Sequence, residues 1–432
     1  MSAGRGVFVL FFRCYLWHDW LWGLGTAKRV ATVRTSRGID RYSDVRTLDG
    51  IFLRYSEQTN FTAHEGRKWA NSGRVKLSIY WLLVFIPITV LLEHTGQMQP
   101  PVIFFSAALA IVPIAALIVQ STEQIAVRTG DAVGGLLNAT FGNAPELIIS
   151  LVALKAGNLE MVRAAIVGGI LANLLLALGA AFFLGGLRHH DQKFNPVAAR
   201  MYSTMMLLAA MSLAVPSAFS RYFAPDSTIR EEKLLNVGIA GTLLFAYGLY
   251  LIFSLKTHPG VFASAEADEG AADHEGKRWS VSRAIVSLIG ASVLAAWMSE
   301  ILVGAAEGTG KALGMSQIFI GIVFVAMLGG APESGSAIAV ARKNKMDLAV
   351  GITVGSSIQI ALFVAPVLVF ASYLLAPQPL ELSFGRAEVG SLFIGVLIGT
   401  IVCGDGQSNW FKGIQLITVY IIIALMFYLL PS

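Results

Sequence analysis

The stretch GNAPELIIS at residues 142–150 returns in the second half of the chain as GGAPESGSA at residues 329–337. Each copy places one glutamate, Glu146 or Glu333, inside a long apolar run. A charged side chain at the centre of a membrane helix costs about 2.5–3.5 kcal/mol to insert, so it should face protein or a water-filled cavity. Both glutamates are therefore predicted to be functional.

The repetition extends well beyond these two stretches. Residues 134–179 align with residues 321–366 at a constant offset without a gap, and Gly168 falls on Gly355. Each copy covers two predicted spans, and an odd number of spans, five, separates the copies, so they should face opposite ways across a membrane. Such inverted repeats are typical of secondary transporters, whose substrate site lies near the bilayer midplane.

The composition agrees with a membrane protein, since 55% of the 432 residues are hydrophobic and only 14% are charged. A bilayer core of about 30 Å needs about 20 apolar residues for each helix. The sequence thus predicts an all-α integral membrane protein with about eleven transmembrane helices. These predicted spans lie near residues 77–95, 100–121, 131–154, 161–186, 201–220, 234–255, 281–305, 317–341, 347–374, 387–404 and 411–430.

The predicted organisation has five parts. An N-terminal extension with no assigned role (1–76) precedes a first helix (77–95), a first five-helix repeat (100–255), an acidic cytoplasmic linker (256–280) and a second five-helix repeat (281–432). Lys and Arg are more frequent in loops on one predicted side, which favours a cytoplasmic start to the first helix. We predict a multi-pass protein of a bacterial inner membrane with a cytoplasmic N-terminus.

Charge and cysteine content exclude several classes. The net charge of +5 resides in loops between apolar runs, which is explained by membrane topology and not by nucleic-acid binding. Cys14 and Cys403 lie too far apart to suggest a thiolate metal site. No GxxxxGK[ST] motif is present, so pumping driven by ATP in this chain is not expected. The predicted partners are a cation, protons and the lipid bilayer, with no cofactor, and a homo-oligomer is left open.

The residues around the two glutamates favour a cation site. Pro145 and Pro332 lack an amide proton and so leave backbone carbonyls free one turn earlier. A hard cation such as calcium takes about six to eight oxygen ligands. The candidate site residues are Glu146, Glu333, Asn143, Gly142, Gly329, Ser357, Gln359 and Asn173, with Ser336 and Ser356 nearby in the repeat. The polar side chains could equally serve only to join helices.

Other acidic residues lie at predicted span ends, and most should be interfacial. These are Glu93, Glu123, Glu300, Glu307, Glu388 and Asp405. Glu123 and Glu300 are predicted to end corresponding helices ahead of each repeat, so either could line an ion path or act as a gate. Burial favours a protonated carboxyl and a bound divalent cation favours the carboxylate, so protons and cation would compete at Glu146 and Glu333.

The stretches GGLLNATFGNAPELI at 134–148 and MDLAVGITVGSSIQIALFV at 346–364 resemble the calcium/proton exchangers of the calcium/cation antiporter superfamily. The resemblance extends from about residue 78 to the C-terminus. It implies one helix followed by two inverted five-helix halves that exchange calcium for protons by alternating access.

The resemblance further implies that Glu146 and Glu333 exchange calcium and protons, with Asn143, Ser357 and Gln359 as companions. This sequence departs from the family at two positions in the second repeat. Gly330 and Ser334 stand where the family usually has Asn and His. The departures leave the choice of cation open among calcium, manganese, sodium and potassium.

Three alternatives are left open by the sequence. A sodium/calcium exchanger of the same superfamily would need additional monovalent sites. A cation channel could use the paired carboxylates for selectivity, although repeats in one chain count against it. An intramembrane aspartyl enzyme would rely on Asp405, for which the sequence offers no partner carboxylate.

Overall fold

The computed structural model describes residues 78–96, 98–129, 134, 136, 137, 140–262 and 279–430. The predicted N-terminal extension and most of the predicted acidic linker lie outside these residues. In chain order the helices are α1 (Ile79–Thr95, beginning with a 3-10 turn), α2 (Pro100–Thr129), α3 (Ala144–Lys155), α4 (Leu159–His189), α5 (Pro196–Phe223), α6 (Ile229–Thr257), α7 (Val281–Leu313), α8 (Gln317–Gly329), α9 (Ala331–Ala341), α10 (Met346–Leu375), α11 (Arg386–Cys403) and α12 (Trp410–Leu429). Two short strands, β1 (Asp191–Lys193) and β2 (Gln407–Asn409), pair antiparallel.

Eight of the helices in the described residues are long and apolar enough to cross a membrane. Helices α8 and α9 meet at a bend of 57° and would form a ninth, broken span. Helices α1 and α3 are shorter. The chain is therefore a multi-pass helical membrane protein, while the count of eleven transmembrane helices stays a prediction.

Both repeats contain a helix start close to the middle of the bundle. Helix α3 begins at Ala144 after a turn at Gly142 and Asn143, and α9 begins at Ala331 after the break at Gly330. The predicted span 317–341 is therefore divided at Gly330 into α8 and α9. The physical reason is the proline in the first turn of each new helix, because its ring prevents the preceding helix from continuing through it.

Five of the described helices contain a π-helical segment, which the sequence did not reveal. These segments are Ala172–Ala177 in α4, Phe219–Phe223 in α5, Phe253–Thr257 in α6, Ile320–Val325 in α8 and Ile360–Val364 in α10. The segments in α4 and α10 occupy matching stretches of the two repeats. A π-helical turn inserts an extra residue and shifts the side chains that follow, and such turns are frequent at functional sites.

Helices α2 and α7 pack against each other along their length and run antiparallel. Near the end of α2, the Ser121 hydroxyl donates to Ser287 Oγ near the start of α7, over 2.9 Å. Near the start of α2, a Cβ atom built on Gly308 of α7 would lie 2.6 Å from Pro100 Cγ. The absence of a side chain at Gly308 therefore permits this close approach.

Helices α4 and α8 also interlock through glycine. A Cβ atom on Gly168 would lie 2.4 Å from the carbonyl oxygen of Ile322, and one on Gly321 would lie 2.8 Å from the carbonyl oxygen of Met161. Small residues let membrane helices approach closely where lipid offers no hydrophobic driving force for association. These contacts bring the two repeats together around the helix breaks.

One end of the bundle joins loops from both halves. Beside the strand pair, the Gln192 amide donates to the carbonyl oxygen of Ala341 over 2.9 Å. A ring nitrogen of His189 lies 3.0 Å from the carbonyl oxygen of Arg342. Polar side chains thus satisfy backbone groups that the ends of helices leave without partners.

At the opposite end, the loop after α3 meets the segment that follows α10. A Cβ atom on Gly157 would lie 3.5 Å from Pro377 Cγ. The segment continues as an extended chain, in which Leu380 and Leu382 are fully buried. The Asn236 side chain donates to the carbonyl oxygen of Leu380 over 2.8 Å and accepts from the amide of Leu382 over 3.0 Å.

Candidate ion-binding site

Glu146 and Glu333 occupy equivalent places in the first turns of α3 and α9. Their side chains are buried, with 8% and 6% of their surface exposed. The two helix starts lie side by side, since Glu146 packs against Gly329, four residues before Glu333. A helix N-terminus carries a partial positive charge, which stabilises a carboxylate placed in its first turn.

Both carboxyl groups lack hydrogen-bond partners within the described part of the chain. The buried atoms without a partner include both oxygens of Glu146, both oxygens of Glu333 and Oδ1 of Asn143. A buried polar atom left without a partner costs about 1–3 kcal/mol. Five acceptor oxygens in one region form a set that protons or a hard cation can satisfy.

Contacts between the halves hold these oxygens in position. The Asn143 amide nitrogen donates to Gln359 Oε1, which leaves Asn143 Oδ1 as the available atom of that amide. A Cβ atom on Gly329 would lie only 2.6 Å from Cγ of Glu146. Asn143 and Glu146 of the first repeat therefore each contact a residue of the second repeat, and the absence of a side chain at Gly329 makes space for Glu146.

A small pocket adjoins Glu146 between the two repeats. Its lining includes Glu146, Ser150, Val325, Ala326, Ile360 and Val364. Ser150 is buried one helical turn beyond Glu146 and was missed in the sequence. The signal was available, because residues four apart lie on the same face of a helix.

Two further predicted companions, Asn173 and Ser357, are buried between the helices. Asn173 is buried, and its Oδ1 would lie 3.2 Å from a Cβ atom on Gly330. Ser357 is fully buried, and its hydroxyl lies 3.0 Å from the carbonyl oxygen of Thr353 and 3.5 Å from that of Ile170 in the other repeat.

Three predicted residues have less connection to the glutamates. Ser336 is exposed, so the structure does not bring it into the site. Ser356 is buried next to Ser357. Gly142 lies in the turn immediately before Asn143.

The side chains of Glu123 in α2 and Glu300 in α7 are both exposed. The prediction that Glu123 ends a helix is wrong, because α2 continues to Thr129. The prediction that Glu300 ends a helix is wrong, because α7 continues to Leu313. Gly308, which follows Glu300 in this helix, packs against Pro100 of α2.

Glu388 lies in the first turn of α11, is 4% exposed and accepts from the amide of Gly385. Asp405 lies in the loop between α11 and α12 and pairs with Lys412 over 2.6 Å. Burial acts to raise the pKa of Asp405, but hydrogen bonds and charge from Lys412 outweigh it and lower that pKa. A salt-bridged aspartate of this kind is unlike a protease pair that shares one proton.

Among the residues that the structure describes, no three His, Cys, Asp or Glu side chains group as a metal cluster. The candidate site has two carboxylates, so a bound cation would also need amide, backbone or water oxygens. Calcium accepts such mixed oxygen sets.

A multi-pass bundle with two buried carboxylates at two helix breaks has the features of an ion-coupled membrane transporter. The chain matches the family model described as sodium/calcium exchanger protein over residues 100–256 and 283–429. It belongs to that family, whose members are transporters.

Relatives and solved structures agree with this assignment. The chain is 40% identical over 364 residues to a Ca(2+)/H(+) antiporter of Aphanothece halophytica, covering 82% of this chain and 96% of that protein. It is 38% identical over 354 residues to the Ca(2+)/H(+) antiporter ChaA of Bacillus subtilis, covering 82% and 99%. The structure of native YfkE matches with a TM-score of 0.71 and 35% identity over 82% of this chain and 100% of that one.

Proposed function

We propose that this protein is a secondary-active antiporter that exchanges calcium for protons. The observation that carries the proposal is the set of five buried, unpartnered oxygens of Glu146, Glu333 and Asn143. The relatives named as Ca(2+)/H(+) antiporters support the choice of ions. Calcium and protons are the transported ions, and they would bind alternately to the same buried oxygen atoms.

Coupling follows from competition for the two carboxyl groups. Burial opposes two adjacent negative charges, so protons bind when no cation is present. A divalent cation offsets both charges and displaces the protons. If Glu146 and Glu333 are loaded from one side and released to the other, neither ion crosses without exchange. Oxygens of Asn143, Gln359 and Ser357, held by packing between the halves, would complete the cation's ligands.

We further propose that the two halves are inverted copies that alternate access to this site, with an eleven-helix topology. Pro100 lies against Gly308, and Ser121 bonds with Ser287. The offset that maps Glu146 onto Glu333 also maps Pro100 onto Ser287 and Ser121 onto Gly308. This offset exchanges the two contacts, as a two-fold axis in the membrane plane would.

A second pair of contacts supports the same symmetry. The loop at Gly157 lies against Pro377, whereas the loop at Arg342 lies against His189. The repeat offset approximately exchanges these pairs as well. Helix α4 runs from one contact to the other, so the matched loops lie at opposite ends of the bundle.

The end that carries the strand pair is proposed to face the cytoplasm of a bacterial cell, which puts the start of α1 on the cytoplasmic side. Exposed basic residues at that end include Arg188, Lys193, Arg342 and Lys343. An excess of Lys and Arg in short loops marks the cytoplasmic side of membrane proteins.

The proposal is tested in proteoliposomes that hold the purified protein in sodium-free medium with an acidic interior. We expect calcium uptake that depends on the pH gradient and is lost in Glu146→Gln and Glu333→Gln. Glu307→Gln is the matched control, because Glu307 is exposed and paired with Lys311 at the surface. Full activity in both site variants would refute the proposed site. A strict sodium requirement would favour a sodium/calcium exchanger, and flux without a counter-ion would favour a channel.

A further inference from the structure

The two copies of the site motif differ at one position within GNAPE and GGAPE, where Asn143 corresponds to Gly330. The backbone angles are similar, with φ −95° and ψ 24° at Asn143 and φ −78° and ψ 8° at Gly330. Residues with side chains adopt such negative φ values without difficulty. The backbone therefore does not require glycine at position 330, and the missing side chain itself needs an explanation.

A side chain at position 330 would point at polar groups of the other half. A Cβ atom built there would lie 3.2 Å from Asn173 Oδ1 and 3.7 Å from Glu146 Oε1. The corresponding Asn143 side chain is buried, donates to Gln359 and leaves its own oxygen available. Gly330 supplies neither the hydrogen bond nor the oxygen.

The site is consequently asymmetric. On one side, two carboxamides, Asn143 and Gln359, hold each other in place. On the other side, the amide nitrogen of the buried Asn173 has no partner among the described residues. The second half thus contributes one fewer side-chain oxygen, and a side chain at position 330 would have to fit against Asn173 Oδ1 and Glu146 Oε1.

We propose that Gly330 sets the size selectivity of the cation site, so that the wild-type protein accepts the larger alkaline-earth cations Sr²⁺ and Ba²⁺ alongside Ca²⁺. This inference rests on the proposed function of the same site. Selectivity among hard divalent cations depends on cavity size, ligand number and flexibility. A side chain at position 330 would reduce the size and the flexibility of the cavity and would exclude larger ions more strongly than calcium.

The test is competition against calcium uptake in proteoliposomes under an imposed pH gradient. Sr²⁺ or Ba²⁺ is added as a competitor of Ca²⁺ to wild type, Gly330→Ala and Gly330→Asn. We expect the Ba²⁺ concentration needed for inhibition, relative to Ca²⁺, to rise about tenfold in Gly330→Asn and less in Gly330→Ala. Gly335→Asn in α9, the helix that follows Gly330, is the matched control, because a Cβ atom there meets nothing within 4 Å. Its ratio should equal that of wild type.

Calcium transport by the Gly330 variants with an unchanged Ba²⁺ to Ca²⁺ ratio would overturn this inference and leave the proposed function intact. Absence of calcium and proton exchange in the wild type would instead remove the proposed function. If Gly330→Asn fails to transport, the same ratio is measured by calorimetric binding of Ca²⁺ and Ba²⁺ to purified protein. Gly330→Ala adds only one methyl group and keeps the comparison available, and an unchanged binding ratio counts against Gly330 as it does in transport.

Discussion

Replacing Gly329 by alanine should displace Glu146 directly. The new Cβ atom would lie 2.6 Å from Cγ, 3.1 Å from Cδ and 3.3 Å from Cα of Glu146. Carbon atoms in contact are normally about 3.5–4.0 Å apart, so the shortest of these distances must open by about 1 Å. Overpacking of this kind costs about 1–3 kcal/mol, and the better helix propensity of alanine returns at most about 1 kcal/mol. The balance is a destabilised protein with a misplaced carboxylate.

We expect Gly329→Ala to raise the calcium concentration needed for half-maximal uptake at least about tenfold, which corresponds to a loss of about 1.4 kcal/mol of cation binding. The assay is uptake driven by a pH gradient at several calcium concentrations, with thermal unfolding in detergent measured in parallel. Gly335→Ala is the control, since alanine there meets no neighbour. Wild-type uptake and calcium affinity in Gly329→Ala would contradict the packing of Glu146 against Gly329.

Three more variants test separate contacts. Gly168→Ala should destabilise the protein by about 1–3 kcal/mol because its Cβ atom would overlap a backbone carbonyl of the other half, whereas the matched Gly355→Ala, with open space, should be neutral or stabilising in thermal unfolding. A double-mutant cycle of Asn143→Ala and Gln359→Ala should give a coupling of about 0.5–3 kcal/mol in calcium binding, and additive effects would argue against their hydrogen bond. Asp405→Asn should lower the free energy of unfolding by under about 1 kcal/mol, because solvent screens the ion pair with Lys412. Because the pKa of Asp405 is lowered in the folded protein, the stability difference between wild type and variant is present at neutral pH and disappears as the pH falls through that pKa. Unfolding measured as a function of pH would detect this dependence.

Much of the fold could be predicted because long apolar runs and their polar interruptions are local properties of the chain. The predicted span 161–186 corresponds to α4, and the predicted span 387–404 corresponds to α11. Pro145 and Pro332 were recognised as interruptions of helical hydrogen bonding, and the structure places them in the first turns of α3 and α9. Helix ends were less accessible, since α7 continues past Glu300 to Leu313 although three glycines follow Glu300 in the sequence.

The candidate site was predicted in part for a related reason. Repetition marks Glu146 and Glu333, because burying a charged group twice in the same motif is costly unless it serves a function. Ser336 and Ser357 look equally suitable in the sequence, yet one is exposed and the other is fully buried. The π-helical segments at Ala172–Ala177 and Ile360–Val364 change which residues face inward, and the composition of the sequence does not predict them.

The amino-acid order alone establishes a polytopic helical protein with a duplicated acidic motif, since hydrophobicity, proline and repetition are encoded residue by residue. Which atoms meet depends on how the halves pack. The pairing of Asn143 with Gln359 and the fit of Glu146 against Gly329 join residues far apart in the chain. Close packing decides such contacts through distances of a few tenths of an ångström, and a linear pattern does not contain those distances.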